Sequence, residues 1–182
     1  DYVKDARNIK KQNKAIIGGN FCRWYGGFDS YVIAQEFDCP IYAPSMGRKV
    51  KNEEQVPGLT HLPFMPWGEW MFKLAEFKYG IHLMQTFAAG SFMMNCGYLG
   101  IPCIGYNRVD TQRKIFPKLS VDVDDLETAR KLANKLVNDK DFYNECSLEA
   151  IENFDKYYSE QKFNEWKTDF FSNIDKFIKN YE

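Results

Sequence analysis

The chain has 182 residues and a hydrophobic fraction of 45%, which is enough for one domain with a substantial core. Its 24 basic and 25 acidic residues nearly cancel. This balance argues against a general nucleic-acid binder, because such proteins neutralise many phosphates. The sequence has no stretch of about 18 apolar residues, so we expect no membrane span.

Histidine and cysteine usage indicates an intracellular protein without a resident metal. Five cysteines are spread along the chain without CxxC spacing, as is typical of reduced thiols, and only two histidines are present. We therefore expect a cytoplasmic protein with no metal site and no permanently bound cofactor. The first residue is Asp rather than Met, which is expected of a fragment or a processed protein.

The first half of the chain alternates predicted strands and helices after a polar lead-in. Residues 1–14 are predicted to be helical. The elements that follow are strand, helix, strand, strand, helix and strand, over residues 14–19, 28–37, 40–45, 59–65, 69–77 and 79–84. A charged segment bounded by glycine and proline separates the second and third strands and is predicted to be a surface loop.

The second half continues this alternation and ends in helices. The predicted elements are helix, strand, strand and helix, over residues 90–98, 102–106, 119–123 and 125–138. Together the two halves predict an α/β fold, with a Rossmann-like parallel sheet of about six strands and helices on both faces. We expect one domain over residues 1–140, with residues 141–182 forming a C-terminal helical extension packed on it.

A turn of small residues opens the predicted helix 90–98 at the end of a strand. Gly90 and Ser91 lie where the first backbone N–H groups have no partner within the helix, and the helix dipole favours negative charge there. The segment therefore predicts a binding site for the diphosphate of a nucleotide-sugar. A tight strand-to-helix turn without a ligand is the alternative.

The loop after the strand at 102–106 is predicted to carry three further contacts to the ligand. Arg108, Gln112 and Arg113 follow that strand, and arginine suits bidentate binding of phosphate. In an open α/β sheet such loops share the rim where ligands usually bind. Solvated arginines without a ligand are the alternative.

Two more loops at the predicted rim supply candidate residues. The glycine-bearing loop after the first strand contains Gly19 and Arg23, which are candidates for contact with phosphate. Trp67 follows Pro66 after the third strand, where it could stack on a base or fix the start of a helix. His82, in the fourth strand, is expected to be a core histidine with its hydrogen bonds satisfied.

From about residue 14 to residue 139, the chain resembles the C-terminal, nucleotide-sugar-binding half of a GT-B glycosyltransferase. The segment YLGIPCIG and the later stretch QRKIFPKLSVDVDD carry the resemblance. It implies that Gly90 and Ser91 bind the donor diphosphate, that Arg23 and Arg113 supply charge, and that Trp67 contacts the base. Asn95 stands where relatives contact the ribose or the sugar.

The resemblance also implies a reaction and its partners. The expected activity is metal-independent glycosyl transfer from a UDP-, GDP- or ADP-linked sugar, once the chain is joined to an N-terminal acceptor-binding domain. A homo-oligomer is the other partner expected. Many retaining members carry two glutamates spaced E-x7-E, and here those places hold Phe87 and Asn95. A non-catalytic nucleotide-binding or assembly module is therefore the alternative. A flavodoxin-like or response-regulator-like module is a third possibility.

Overall fold

The computed structural model describes residues 2–87 and 90–179 and contains one six-stranded sheet. All five strand pairings are parallel, and the strand order is β3-β2-β1-β4-β5-β6. The strands are β1 Gln12–Ile17, β2 Ile41–Ser45, β3 Leu59–Phe64, β4 Phe77–His82, β5 Cys103–Tyr106 and β6 Ser120–Val121. The prediction of a six-stranded parallel α/β sheet is confirmed.

The described residues form seven α-helices in addition to this sheet. They are α1 Gly27–Ala34, α2 Trp67–Ala75, α3 Ser91–Tyr98, α4 Asp110–Ile115, α5 Leu126–Asn138, α6 Lys140–Tyr158 and α7 Glu160–Lys179. Carboxylate caps define two of the starts: Asp125 accepts from the Thr128 N–H at 3.0 Å, and Asp139 accepts from the Phe142 N–H at 2.9 Å.

The structure differs from the sequence-based prediction in two segments. The lead-in is a short 3-10 helix over Lys4–Asn8, and β1 already begins at Gln12, whose N–H donates to the Glu76 carbonyl at 2.7 Å. The supposed loop after β5 contains α4. Asp110 pairs there with Arg113 and Lys114, three and four residues later, and such pairs stabilise a helical turn.

The core lies on both faces of the central strands. Along β1, β4 and β5 nearly all apolar side chains are buried, as expected of strands covered by helices on each side. Phe37 stacks on Tyr79 with ring centroids 4.5 Å apart, and the Tyr143 ring of α6 meets Tyr79 edge-on at 5.8 Å. The second of these contacts attaches α6 to the sheet.

The described side chains of helix α7 are exposed to solvent. Seven of its large apolar residues are between 38% and 63% exposed: Phe163, Trp166, Phe170, Phe171, Ile174, Phe177 and Ile178. Trp166 stacks on Phe170 at 5.3 Å, so these rings already form an apolar stripe along the helix. Within the described ranges, no helix is both long and apolar enough to cross a bilayer.

Candidate functional site

The order of the strands places a crevice between the carboxyl ends of β1 and β4. The chain passes from β1 outward to β2 and β3, whereas β4 leads to β5 and β6 on the other side. Neighbouring connections therefore leave the sheet in opposite directions at β1 and β4, which is the position where ligands bind in open α/β sheets. The segments that border this crevice carry most of the candidate residues.

The loop after β1 lies tightly against the segment after β4. Gly26 has a φ of +64°, and a Cβ atom at this position would lie 1.8 Å from the Leu83 carbonyl oxygen. The Leu83 N–H donates to the Ser30 hydroxyl at 2.9 Å. A glycine is required at residue 26, because a side chain there would push the two walls of the crevice apart.

Helix α3 begins at the β4 side of the crevice with an open N-terminus. Gly90, its N-cap, has a φ of +71°, and no side chain among the described residues caps this end. A Cβ atom on Gly90 would lie 1.8 Å from Thr111 Oγ1. Ser91 is exposed, and Asn95 follows one turn later on the same side of the helix. The uncapped N–H groups favour an anion here.

His82 is the last residue of β4 and lies beneath this crevice. Its ring meets that of Phe92, in the first turn of α3, edge-on at 5.5 Å, and a Cβ atom built on Gly18 would lie 2.6 Å from its Cγ. The residue is 4% exposed, and neither ring nitrogen has a hydrogen-bond partner in the described part of the chain. Burial lowers the pKa of His82 to about 4, so the imidazole is neutral.

A cleft of about 570 Å³ opens beside the loop after β1. Arg23 and Trp24 line it from that loop, Asp29 from the start of α1, and Gln85 from the segment after β4. Burial, and then the nearby Asp124 carboxylate, raises the pKa of Asp29. Glu53 and Glu54 also line it, so the cleft combines a cation with carboxylates and an amide that suit the hydroxyls of a sugar or ribose.

An ion pair fixes the long loop between β2 and β3 at the rim of this cleft. Arg48 Nη2 lies 2.6 Å from Glu54 Oε1 and donates to the Phe21 carbonyl at 3.2 Å. Burial alone would raise the pKa of Glu54, but hydrogen bonds from the Lys51 N–H and Arg48 lower it. This loop is thereby held against the loop after β1.

The predicted residues after β5 have different environments. Arg108 is exposed, with its guanidinium 4.7 Å from the centre of the Phe87 ring. Arg113 is also exposed and pairs with Asp110 at 3.0 Å. Gln112 is fully buried, and its amide donates to the backbone carbonyls of two other residues, at 2.9 and 3.2 Å. Gln112 was predicted to bind phosphate, but its position in α4 directs the side chain into the core, where it binds backbone carbonyls instead.

Gly19 and Trp67 lie on opposite sides of β2. Gly19 has a φ of +70° and sits over His82, and a Cβ atom there would lie 3.4 Å from Nε2. Trp67 is the first residue of α2 and is 58% exposed, next to the edge strand β3. Two strand spacings separate β3 from β1, about 10 Å, which a nucleoside can span.

No protein-family profile and no curated protein matches the sequence, but solved structures share its fold. Sucrose-phosphate synthase from Thermosynechococcus elongatus superposes with a TM-score of 0.71 at 13% identity, over 94% of this chain and 49% of that one. HepE from Anabaena, in complex with UDP-glucose, gives 0.71 at 10% identity over 88% and 48%. An alpha-glucosyltransferase in complex with UDP and a 13-mer DNA gives 0.67 at 12% identity over 94% and 59%.

The fold is that of the C-terminal domain of a GT-B glycosyltransferase. The chain spans about half the length of these proteins, so it corresponds to one part of each. The likeness of the fold agrees with the resemblance carried by the YLGIPCIG segment, which covers the end of α3 and the start of β5.

Three features of the crevice were missed by sequence reasoning. His82 was predicted to be a buried core histidine whose ring nitrogens are hydrogen-bonded. It is buried, but neither ring nitrogen has a hydrogen-bond partner among the described residues, so that part of the prediction is wrong. Gln85 and Asp29 were not singled out, although both line the cleft. For His82, the sequence did offer a signal of a functional role, because a polar side chain stands at the end of an otherwise apolar strand.

Proposed function

We propose that the chain is the donor-binding domain of a glycosyltransferase and binds a UDP-, GDP- or ADP-linked sugar through its diphosphate. The uncapped N-terminus of α3 at the sheet's switch point carries this proposal. Backbone N–H groups at Gly90 and Ser91 would bind phosphate oxygens, and Arg23 would supply charge from the opposite wall. Two structures of the same fold contain UDP or UDP-glucose, which supports a uridine nucleotide.

The remaining candidates would surround the diphosphate. Asn95, one turn below Ser91, would contact the ribose or the sugar, and Gly19 would let the ligand approach the backbone. Trp67 would stack on the base. Arg108 and Arg113, both exposed after β5, would add positive charge once their present partners release them. Gln112 is left out of this set because its side chain is buried.

The proposed chemistry is glycosyl transfer in which protein groups stabilise the leaving diphosphate. The dipole of α3 and the Arg23 guanidinium would neutralise the charge that develops there, so metal-independent transfer is proposed. A chelator should then leave the affinity for UDP unchanged. An acceptor site would come from an N-terminal domain or from a second copy, because the chain corresponds to about half of the matched proteins.

We propose that residues 1–140 form the nucleotide-binding domain and residues 141–182 an extension that packs on it and contacts the acceptor-binding part. The exposed apolar stripe of α7 supports the second role, because an apolar surface of this extent is normally covered. Removing residues 160–182 should leave the folded domain and its nucleotide affinity intact. It should also abolish association with an acceptor-binding domain or a second copy.

A non-catalytic nucleotide-binding module is the second candidate, and one observation favours it. Phe87 and Asn95 occupy the places of the two glutamates of many retaining enzymes, and the exposed Phe87 ring packs on Arg108. Such a module would bind UDP without transferring sugar. Nucleotide affinity and transfer must therefore be measured separately.

Calorimetric titration with UDP, GDP and ADP tests the shared part of both candidates. We expect saturable binding of one nucleotide, and Ser91→Asp should weaken it at least about tenfold, because a carboxylate would repel phosphate at the start of α3. The same substitution should leave thermal stability unchanged or higher, since an acidic residue suits a helix N-terminus. Gln161→Glu, which adds equal charge on the exposed start of α7, is the matched control. Equal affinity in all three proteins would refute the proposed site.

A further inference from the structure

The imidazole of His82 is buried without a partner, although the rest of its surroundings are well packed. Removing a neutral polar group from water without a hydrogen bond destabilises a fold, so such a group is normally paired. The two nitrogens of His82 are unpaired within residues 2–87 and 90–179, whereas Nε2 of the other histidine, His61, lies 3.0 Å from the Glu54 carbonyl oxygen. The His82 imidazole therefore makes no hydrogen bond that would stabilise the described part of the fold.

The ring lies among the segments that border the crevice. It lies between the backbone of Gly18 and Gly19, at the end of β1, and Phe92, in the first turn of α3. On the outer side, the half-buried Tyr25 ring has its centre 6.5 Å from that of His82. These are the same two segments that border the proposed diphosphate site.

Tyr25 is the half-buried side chain of this enclosure and forms its outer side. It ends the short 3-10 helix Arg23–Tyr25, and glycines of positive φ, Gly19 and Gly26, stand on either side of that helix. Gly18, by contrast, directly follows β1, and Phe92 lies in the first turn of α3. A displacement of Tyr25 would therefore open His82 to the crevice without disturbing the sheet.

The neutral imidazole has the hydrogen-bonding capacity that a phosphate requires. One ring nitrogen carries a proton and can donate to a phosphate oxygen, and the other can accept from a hydroxyl or a water. No ionised group shifts the pKa of His82, for which burial is the only cause. The groups that face it from β1, α3 and the loop are glycine backbone, Phe92 and the Tyr25 phenol.

We infer that His82 binds the diphosphate of the nucleotide, donating a ring N–H to a phosphate oxygen after Tyr25 moves aside. The inference rests on the proposed function and adds to it a ligand contact from β4. It also accounts for a polar residue at a position where the neighbouring strand residues are apolar.

Substitution of His82 tests this role with two readouts that move in opposite directions. His82→Leu should leave thermal stability unchanged or raise it, because it removes an unpaired polar group. It should weaken binding of UDP and of inorganic pyrophosphate by about tenfold or more, because a hydrogen bond to a charged group is lost. His82→Gln, which keeps an N–H donor, should recover part of the affinity. Tyr79→Phe, which alters a buried side chain earlier in β4, is the control and should bind normally.

The outcomes separate this inference from the proposed function. Wild-type protein that binds UDP, together with His82→Leu protein that binds it equally, overturns the role of His82 alone. Wild-type protein that binds neither UDP, GDP, ADP nor pyrophosphate overturns both. An NMR spectrum of the two histidine rings is a complementary test. The His82 resonances should shift on addition of UDP while those of His61 stay in place. His82 resonances that do not shift would contradict the contact.

Discussion

Replacing Gly90 by alanine should damage both the fold and the proposed site. The residue has a φ of +71°. An L-amino acid with a side chain is strained in this conformation by about 1–2 kcal/mol. The new Cβ atom would also lie 1.8 Å from Thr111 Oγ1 and 3.0 Å from Thr111 Cβ, so α3 or α4 must shift. Overpacking of this kind costs about 1–3 kcal/mol. We therefore expect a loss of about 2–5 kcal/mol in the free energy of unfolding.

Denaturant unfolding followed by circular dichroism measures this loss, and a second glycine separates its two causes. Gly58 has a φ of +78°, but a Cβ atom there meets nothing within 4 Å, so Gly58→Ala should cost only the backbone contribution. Thr111→Ala should recover part of the stability lost in Gly90→Ala, because it removes the closest clashing atom. Equal losses for Gly90→Ala and Gly58→Ala, or no recovery in the double variant, would refute the steric reasoning.

Three other changes test the surroundings of the crevice. Gln112→Leu should lower the free energy of unfolding by about 1–3 kcal/mol, since two buried carbonyls lose their donor, and should leave UDP affinity unchanged in calorimetry. Asp125→Ala should cost about 1 kcal/mol in urea unfolding, because the Thr128 N–H loses its cap. The folded-state pKa of Glu54 is lowered, so its stabilising contribution is present above its ordinary pKa and is lost as the pH falls through the lowered value. In Arg48→Ala, thermal melts between pH 3 and pH 7 should show a smaller loss with acid than in the wild type, and an identical pH profile would contradict the ion pair's role.

The sequence predicts the sheet well, because its central strands have an unmistakable pattern. Short apolar runs bounded by glycine or proline correspond to β1, β4 and β5, which are buried on both faces, and α5 follows its helical spacing with an Asp cap. In each case the local pattern and the tertiary environment agree. The N-terminal glycine of α3 was also found from local signals alone.

The sequence predicts the site less well, because side-chain direction depends on packing that no local pattern specifies. The segment after β5 looks polar, yet α4 turns Gln112 inward while Arg113 stays outside. The pairs between Asp110 and the basic residues that follow it were a readable signal for this helix. For His82, burial could be expected, but the lack of a partner depends on which atoms the neighbouring loop presents.

An amide correlation spectrum of the ¹⁵N-labelled chain, recorded during titration with UDP, tests the central claim most directly. We expect the largest shifts at Gly90, Ser91 and Phe92, with further shifts at Gly18 and Gly19, since these amides surround the crevice. The pattern should saturate with one nucleotide per chain. Saturable shifts confined to other surfaces, such as α7, would contradict a diphosphate site at the start of α3, and a spectrum unchanged by UDP, GDP and ADP would contradict nucleotide binding by this domain.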